Sequence, residues 1–149
     1  MSKEEMSIES LEGDQVIEMD INRLRDFKNH PFKITADISM VELKESIQKF
    51  GILNPLIVRP VMEGYYEIIS GHRRRYAARQ LGYTKVPVII KVMRIDEAIV
   101  AMVDSNLQRE FITPSEKARA YKMKYDVLRK RRMLTVAVVS STKQRGKEP

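Results

Sequence analysis

Cysteine is absent from the 149-residue chain, and histidine occurs only twice, at His30 and His72. Without cysteine the chain has no disulfide bridge, no zinc site built on thiolates and no cysteine nucleophile. The two histidines are far apart in sequence and have no acidic neighbour at metal-ligand spacing, so a zinc site is not expected. The acidic residues show no spaced pair that would predict a hydrolase built on two carboxylates.

Long apolar runs are also missing. None approaches the roughly 18 residues that cross a bilayer. The first residues, MSKEEMSIESLEGD, are acidic, unlike the basic and then apolar start of a secretory signal. We therefore expect a cytoplasmic protein with no membrane partner, built as one compact domain with tails.

Charge is abundant and unevenly placed. The formal net charge is +7, which favours an anionic partner such as nucleic acid or a nucleotide. Residues 1–20 contain seven acids and one lysine, whereas residues 117–132 contain eight bases and one acid. The basic surface is therefore expected near the C-terminal end of the chain.

Hydrophobic periodicity predicts an α+β fold with a small mixed sheet and flanking helices, followed by a helical basic extension. Strands are predicted at 16–19, 56–60, 65–69 and 86–92, where Pro87 indicates an early or edge position. Helices are predicted at 39–50, at 72–81, from 96 to 106 and from Thr113. The predicted domains are a flexible acidic arm at 1–15, a nucleotide-binding domain at 16–110, a helical extension at 111–134 and a flexible tail at 135–149.

The segment Ser70-Gly71-His72-Arg73-Arg74 joins a predicted strand directly to a helix. The first backbone N–H groups of such a helix point outward, with the positive end of the helix dipole behind them. Glycine allows a ligand to approach closely, and arginine donates to phosphate oxygens. A solvated helix face is the alternative, but arginine in the first turn opposes the dipole, and a bound anion would compensate for it.

Two further segments carry polar or basic residues. Asn106 and Arg109, at the end of the third helix, could hold Mg²⁺ and a phosphate, or they form an ordinary polar helix end. On the last helix we expect phosphate contacts from a set of exposed bases. These are Lys117, Lys122, Lys124, Arg129, Lys130, Arg131 and Arg132. Its stripe of Ala118, Tyr121, Tyr125 and Leu128 predicts packing rather than base stacking.

Three stretches follow one another along the chain, namely GILNPLIVRP, YYEIISGHRRRYAARQLGYTKVPVII and DSNLQREFITPSEKARAY. Together and in this order they resemble the N-terminal domain of the ParB/Spo0J/Noc family, which is distantly related to sulfiredoxin. The resemblance implies a CTP- and Mg²⁺-binding fold that forms a homodimeric clamp on DNA. It further implies that the protein acts with a ParA-type ATPase in plasmid or chromosome partition, and that it is located at the nucleoid or on a plasmid.

The resemblance also implies site residues. The triphosphate would lie against the turn formed by Ser70, Gly71, His72, Arg73 and Arg74. Asn106 would help hold the metal and Arg109 would reach a phosphate. The stretch from Gly51 to Arg59 lies where the family approaches the cytosine.

The chain departs from the family pattern at two acids. Family members commonly carry glutamate where this chain has His72 and Ser105. Their loss favours nucleotide binding over turnover, so hydrolysis ranges from none to weak CTP hydrolysis. The family's helix-turn-helix is not found after Thr113, so the extension either begins a truncated DNA-binding region or contacts DNA without base readout. Alternatives are a nucleic-acid-binding regulator without nucleotide, and a phosphotransferase or nuclease on the same scaffold.

Overall fold

A computed structural model describes residues 14–108 and 112–145 of the chain. The first part is a five-stranded mixed sheet in the order β1-β5-β3-β4-β2. Its strands are β1 (Val16–Asp20), β2 (Leu24–Arg25), β3 (Leu56–Pro60), β4 (Tyr66–Ser70) and β5 (Lys85–Ile90). β1 pairs with β5 and β3 with β4 in antiparallel fashion, whereas β3 with β5 and β2 with β4 are parallel.

Four α-helices accompany the sheet. They are α1 (Ile38–Phe50), α2 (His72–Gln80), α3 (Ile95–Leu107) and α4 (Pro114–Arg145), and two short 3₁₀ turns lie at Ile21–Arg23 and Met62–Gly64. The mixed sheet with flanking helices confirms the predicted α+β class. Within the described residues no helix has both the length and the apolar composition needed to cross a bilayer.

The core lies where α1 and α2 cover the sheet. Alternate strand residues such as Leu56, Val58, Val86 and Val88 are fully buried, and Ala78 of α2 packs into the same cluster. The neighbouring Ala77 packs against Met40 and Ile47 of α1 in a second cluster. Small alanines on α2 therefore allow the helix to pack closely against both the sheet and α1.

The chain divides after Arg94 into two compact units, with the sheet in the first and α3 and α4 in the second. The sequence places that boundary later, at 110, because the pattern of α3 alone does not show which unit it packs in. α3 and α4 contact each other through buried residues that include Met102, Val103 and Ala120. The Thr113 hydroxyl accepts a hydrogen bond from the Glu116 N–H at 3.2 Å and so caps α4, which begins where the sequence predicts it.

Pro87 lies early in β5, which is one of the two predicted positions, and β5 pairs on both sides. One expectation needs correction. The sequence shows no regular structure beyond Thr135, whereas α4 continues to Arg145. β2 was not predicted, since two residues are too few to show a period. The acidic arm at 1–15 lies outside the described residues except for Asp14 and Gln15.

Candidate functional site

Gly71 forms the turn between β4 and α2 in a conformation that other residues rarely adopt. Its φ of 110° and ψ of 20° lie in the left-handed region. A Cβ added there would lie 2.6 Å from Leu56 Cγ, and 3.4 Å from Arg74 Cζ. The position thus requires glycine for its dihedral angle and for the close approach of β3.

The helix that follows Gly71 begins without a side-chain cap. Its first turn carries no acidic residue, and the N–H of Arg75 is the first to donate within the helix, to Gly71 O at 2.9 Å. The preceding backbone N–H groups of α2, with the helix dipole behind them, make this turn able to bind an anion. The phosphate site at this turn stays a prediction with which the local geometry is compatible.

The arginines after Gly71 contact protein groups around the turn. Arg73 donates to the Ser39 hydroxyl at 2.6 Å and lies 3.9 Å from Asp37 at the start of α1. Arg75 pairs with Asp26 in the loop after β2. The two side chains hold α1 and this loop beside the start of α2. Local sequence patterns do not reveal these partners, because they lie 34 and 49 residues away along the chain.

Arg74 is the arginine nearest the turn itself. Its guanidinium donates to the carbonyl oxygens of Asn54 and Pro55, the latter at 2.9 Å, and lies 3.4 Å from the Ser70 hydroxyl. Burial lowers the pKa of Arg74 from its usual value, although a guanidinium stays charged near neutral pH. Because its N–H groups donate to these loop carbonyls, the positively charged guanidinium is held beside the anion-binding turn.

A hollow of about 130 Å³ lies beside Arg74. It is lined by Leu43, Ser46, Ile47, Gly51, Ile52, Leu53, Asn54 and Arg74. Apolar side chains with a few polar atoms around them are typical of small-molecule sites. The hollow and the turn share Arg74, so one ligand with a ring and a phosphate could contact both.

His72 does not direct its ring toward the anion-binding turn. The ring is buried, and its Nε2 accepts from the Phe27 N–H at 3.2 Å, which places the proton of a neutral ring on Nδ1. It packs against His30 with ring centroids 4.0 Å apart. His30 in turn lies 2.8 Å through Nδ1 from the carbonyl oxygen of Phe32. Only the backbone of His72 is therefore placed for the predicted ligand contact, and its side chain anchors the loop.

Arg59 is held in an ion pair within the sheet. Its Nε donates to Glu67 Oε1 at 2.8 Å, and both side chains are largely buried. Because β3 and β4 are antiparallel, Arg59 pairs with Glu67 while Ile57 pairs with Ser70. Arg59 thus lies at the end of the strand pair away from the turn, and the structure does not bring it to Gly71.

Asn106 lies in the last turn of α3 with its amide bonded to its own helix. Its Nδ2 donates to Met102 O at 2.8 Å, and the Ser105 hydroxyl donates to the same carbonyl at 2.9 Å. Its side-chain oxygen is the atom suited to a metal. Arg109 lies outside the described residues. In the part of the chain described with side chains, no three histidine or acidic groups are placed to hold a metal ion.

The basic residues of α4 fall into two groups. Lys124 pairs with Asp104 at 2.7 Å and Arg131 with Asp96 at 2.8 Å, so these two bases bind α3. The remaining five predicted contacts are exposed, namely Lys117, Lys122, Arg129, Lys130 and Arg132. The second group is the part of the predicted surface that an anionic partner can reach.

The predicted packing of the α4 tyrosines is wrong. Tyr121 is 51% exposed and Tyr125 63% exposed, while α4 packs on α3 through its other face, which carries Ala120 and Val127. The helix has two candidate apolar stripes, and the choice between them depends on α3. A sequence period alone does not make that choice.

Comparison with known proteins shows similarity to chromosome-partitioning proteins. A family model described as the ParB N-terminal domain matches residues 5–107. The chromosome-partitioning protein Spo0J of Thermus thermophilus is 38% identical over 109 residues, which are 73% of this chain and 40% of that protein. The chain spans about two fifths of the length of the curated relatives it matches first.

Solved structures give the same result. C-terminally truncated ParB from Caulobacter crescentus, complexed with CTP-gamma-S, has a TM-score of 0.58 and 28% identity, covering 72% of this chain and 61% of that one. The same protein complexed to the centromeric parS site has a TM-score of 0.59 and 27% identity, covering 71% and 55%. Sulfiredoxin from Arabidopsis thaliana, at 22% identity and a TM-score of 0.50 over 59% of this chain and 97% of that one, shares the fold.

Proposed function

This chain belongs to the ParB N-terminal domain family, and from that premise we propose that it binds CTP at the Ser70–Arg74 turn and associates with DNA. The observation that carries the proposal is Gly71. Its left-handed φ turns the chain from β4 directly into α2, whose first turn has no side-chain cap, so that the first N–H groups of the helix can donate to a phosphate. A related ParB at 28% identity was solved with CTP-gamma-S, which supports CTP as the nucleotide.

The backbone of Gly71, His72 and Arg73 would donate to the phosphates, and the Arg74 guanidinium would supply positive charge between the phosphates and the ring. The hollow beside Arg74 would take the cytosine. Ser70 lies within reach of Arg74 and would orient it. The Arg59 contact inferred from resemblance has no support, since Arg59 pairs with Glu67.

Mg²⁺ would bind through the Asn106 side-chain oxygen and phosphate oxygens, with Arg109 reaching a phosphate. An amide oxygen suits Mg²⁺, and nucleotide phosphates supply the remaining ligands. The metal would neutralise phosphate charge. With His72 and Ser105 in place of the acids that relatives commonly carry, we expect binding with at most weak CTP hydrolysis.

At the level of the whole protein we propose a role in plasmid or chromosome partition. The chain would act as one half of a homodimeric, nucleotide-gated clamp on DNA, working with a ParA-type ATPase. Relatives named for chromosome partition and a relative solved on parS DNA support this role. The exposed bases of α4 supply a surface for sequence-independent phosphate contact.

Calorimetric titration with CTP in magnesium, with ATP and GTP as controls, tests the nucleotide proposal. Arg74→Ala should weaken CTP binding by about 10-fold or more, since it removes a charged donor to phosphate. Arg79→Ala is the matched control, because Arg79 lies on the exposed end of the same helix. If no nucleotide binds at millimolar concentration, the proposal fails and a DNA-binding module without nucleotide takes its place.

A further inference from the structure

The chain's two histidines lie against each other between the start of α2 and the loop at 26–32. Their ring centroids are 4.0 Å apart. The side chain of His72 is buried, and the Nδ1 atom of His72 and the Nε2 atom of His30 are both shielded from solvent. Two titratable rings in a shielded contact form a unit whose charge depends on whether the loop stays in place.

Hydrogen bonds to the backbone fix the neutral form of each ring. The Phe27 N–H donates to His72 Nε2 at 3.2 Å, so the proton of neutral His72 is on Nδ1. A carbonyl oxygen only accepts, so His30 donates from Nδ1 to the carbonyl oxygen of Phe32 at 2.8 Å, and its Nε2 carries no proton. The nitrogen that would take up a second proton is therefore Nε2 in both rings.

A second proton on either ring conflicts with this arrangement. On His72 Nε2 it would face the Phe27 N–H, so their hydrogen bond would be lost. On His30 it would create a cation at a shielded position, which desolvation disfavours. An imidazole in water takes up its proton near a pH of about 6.5. Acidification below that pH therefore favours an arrangement in which the loop has left α2.

The loop also contacts charged groups beside the pair. Its Asp26 pairs with Arg75 of α2, and the Lys28 N–H lies 3.5 Å from Glu67 Oε2 of β4, whereas Arg73 is directed toward α1. Carboxylate, ammonium and guanidinium groups keep their charge between about pH 5.5 and pH 7.5. Among the groups that the loop, β4 and α2 place here, only the two histidines change charge in that range.

We propose that the His30–His72 pair makes the contact between loop 26–32 and α2 sensitive to protons and to an anion bound at the Ser70–Arg74 turn. Neutral rings hold the loop closed, and protonation releases it. Because His72 is the first residue of α2, the closed loop also fixes the turn that would bind phosphate, so a bound nucleotide should keep the loop closed. Only this last step rests on the proposed CTP site.

Hydrogen exchange of the Phe27 amide, followed by NMR on the full chain without nucleotide, tests the response to protons. Between about pH 7.5 and pH 5.5 its protection factor should fall about 10-fold for each histidine that is neutral only in the closed loop, and about 100-fold for both. The Lys91 amide donates to the Val58 carbonyl oxygen inside the sheet at 2.8 Å and is the control. Its protection factor should change by less than about 3-fold.

His30→Gln/His72→Gln removes both titrations, while glutamine can still accept from Phe27 and donate to Phe32. Phe27 protection in this variant should change by less than about 3-fold over the same range. Each single glutamine variant should keep a change of about 10-fold, which retains the test if the double variant does not fold. The chain has only two histidines, so their ring signals report their charge separately.

Equal losses of protection at Phe27 and Lys91 would overturn the proposal, because the histidines would then take up protons only on global unfolding. A pH dependence that persists in the double variant would also contradict it. So would ring signals that titrate near a pH of about 6.5 while Phe27 stays protected.

The response to nucleotide is measured at pH 7.5 alone, because the terminal phosphate of CTP titrates at lower pH. CTP in magnesium at about 100 times its calorimetric Kd should raise Phe27 protection by about 10-fold or more, up to about 100-fold if only the closed loop binds. Bound CTP that leaves Phe27 protection unchanged would overturn the coupling to the turn. Absence of CTP binding in calorimetry would overturn the proposed function instead, and the experiment without nucleotide would still decide the role of the histidines.

Discussion

Gly71 meets two separate demands at a single position. The left-handed φ places strain on any residue with a Cβ, and the proximity of Leu56 would require the core to move if a Cβ were added. Gly82 has a similar φ of 83° but nothing within 4 Å of its added Cβ. The two glycines therefore separate the cost of backbone strain from the cost of overpacking.

Gly71→Ala should destabilise the chain more than Gly82→Ala does. Strain at positive φ costs about 1 to 2 kcal/mol at both sites, and overpacking adds about 1 to 3 kcal/mol at Gly71 only. Urea unfolding followed by circular dichroism gives both free energies of unfolding. Equal losses at the two positions would show that Leu56 moves aside freely and that the close approach has no energetic consequence.

Asp37 caps α1 and should make stability depend on pH under acidic conditions. Hydrogen bonds from the Ser39 hydroxyl, the Met40 N–H and the Thr35 hydroxyl lower the pKa of Asp37 from 3.8 to about 2. The carboxylate is favoured in the folded state, so its contribution is complete above pH 4 and disappears as the pH falls toward 2.

Asp37→Asn keeps a capping side chain but removes this titration. The native chain should therefore lose stability relative to the variant between pH 4 and pH 2, as measured by urea midpoints at each pH. Arg73, which lies 3.9 Å from Asp37, is unchanged in both proteins. A difference that stays constant over this range would contradict the assignment.

At the scale of elements, the ion pair between Arg59 and Glu67 connects β3 to β4 in a largely buried position. Glu67 also lies 3.5 Å from the Lys28 N–H, which joins the loop after β2 to the sheet. Breaking a buried pair leaves one charge without its partner, whereas replacing both charges with apolar residues avoids that cost.

Arg59→Met and Glu67→Met should each lower the free energy of unfolding by about 3 kcal/mol, and the double variant should recover most of the loss. Chemical denaturation of the native chain, the two single variants and the double variant completes the double-mutant cycle. CTP titration of Arg59→Met adds a second readout, because an unchanged affinity per folded molecule is expected. A large loss of CTP affinity would indicate that Arg59 contacts the nucleotide.

Elements with a clear period could be predicted from the sequence, and their partners could not. β3, β4, α1 and α2 lie within one or two residues of the predicted bounds, because apolar alternation and glycines mark them. The prediction of which face of α4 is buried was wrong, because the helix carries two apolar stripes and the sequence does not show which of them packs against α3. The contact of His30 with His72 joins residues 42 positions apart, counted along the chain, and no local pattern encodes it.

At the candidate site, too, the local elements could be predicted from the sequence and their partners could not. The strand, glycine and helix of the turn at 70–74 follow from local sequence, and the structure has them as expected. The partners of Arg73 and Arg74 come from α1 and the 54–55 loop, so only the fold reveals them. The placement of Asn106 and Arg109 at this site stays a prediction.

On the scale of the whole molecule, net charge is concentrated at opposite ends of the sequence. Residues 1–20 contain seven acids against one lysine, and residues 117–132 of α4 contain eight bases against one acid. Two of the α4 bases pair with acids of α3, so fewer bases can reach an anionic partner than the sequence contains. The salt dependence of binding measures that surface directly.

Duplex DNA affinity should fall with salt at a logarithmic slope of about −4 to −5 if the five exposed bases of the predicted set each contact one phosphate. Lys122→Ala/Arg129→Ala should reduce the slope by about 2. Lys124→Ala is the matched control, because that lysine pairs with Asp104 and should change the slope by less than about 0.5. Anisotropy titrations at several salt concentrations give the slopes, and equal effects of all three substitutions would contradict this surface.

The length of the basic part of α4 also limits how much nucleic acid this helix can cover. A helix rises about 1.5 Å per residue, so the exposed bases from Lys117 to Arg132 extend over about 22 Å. Duplex DNA advances about 3.4 Å per base pair, which gives a footprint of about six or seven base pairs. Protection of a longer stretch by this protein would mean that several chains lie side by side on the DNA.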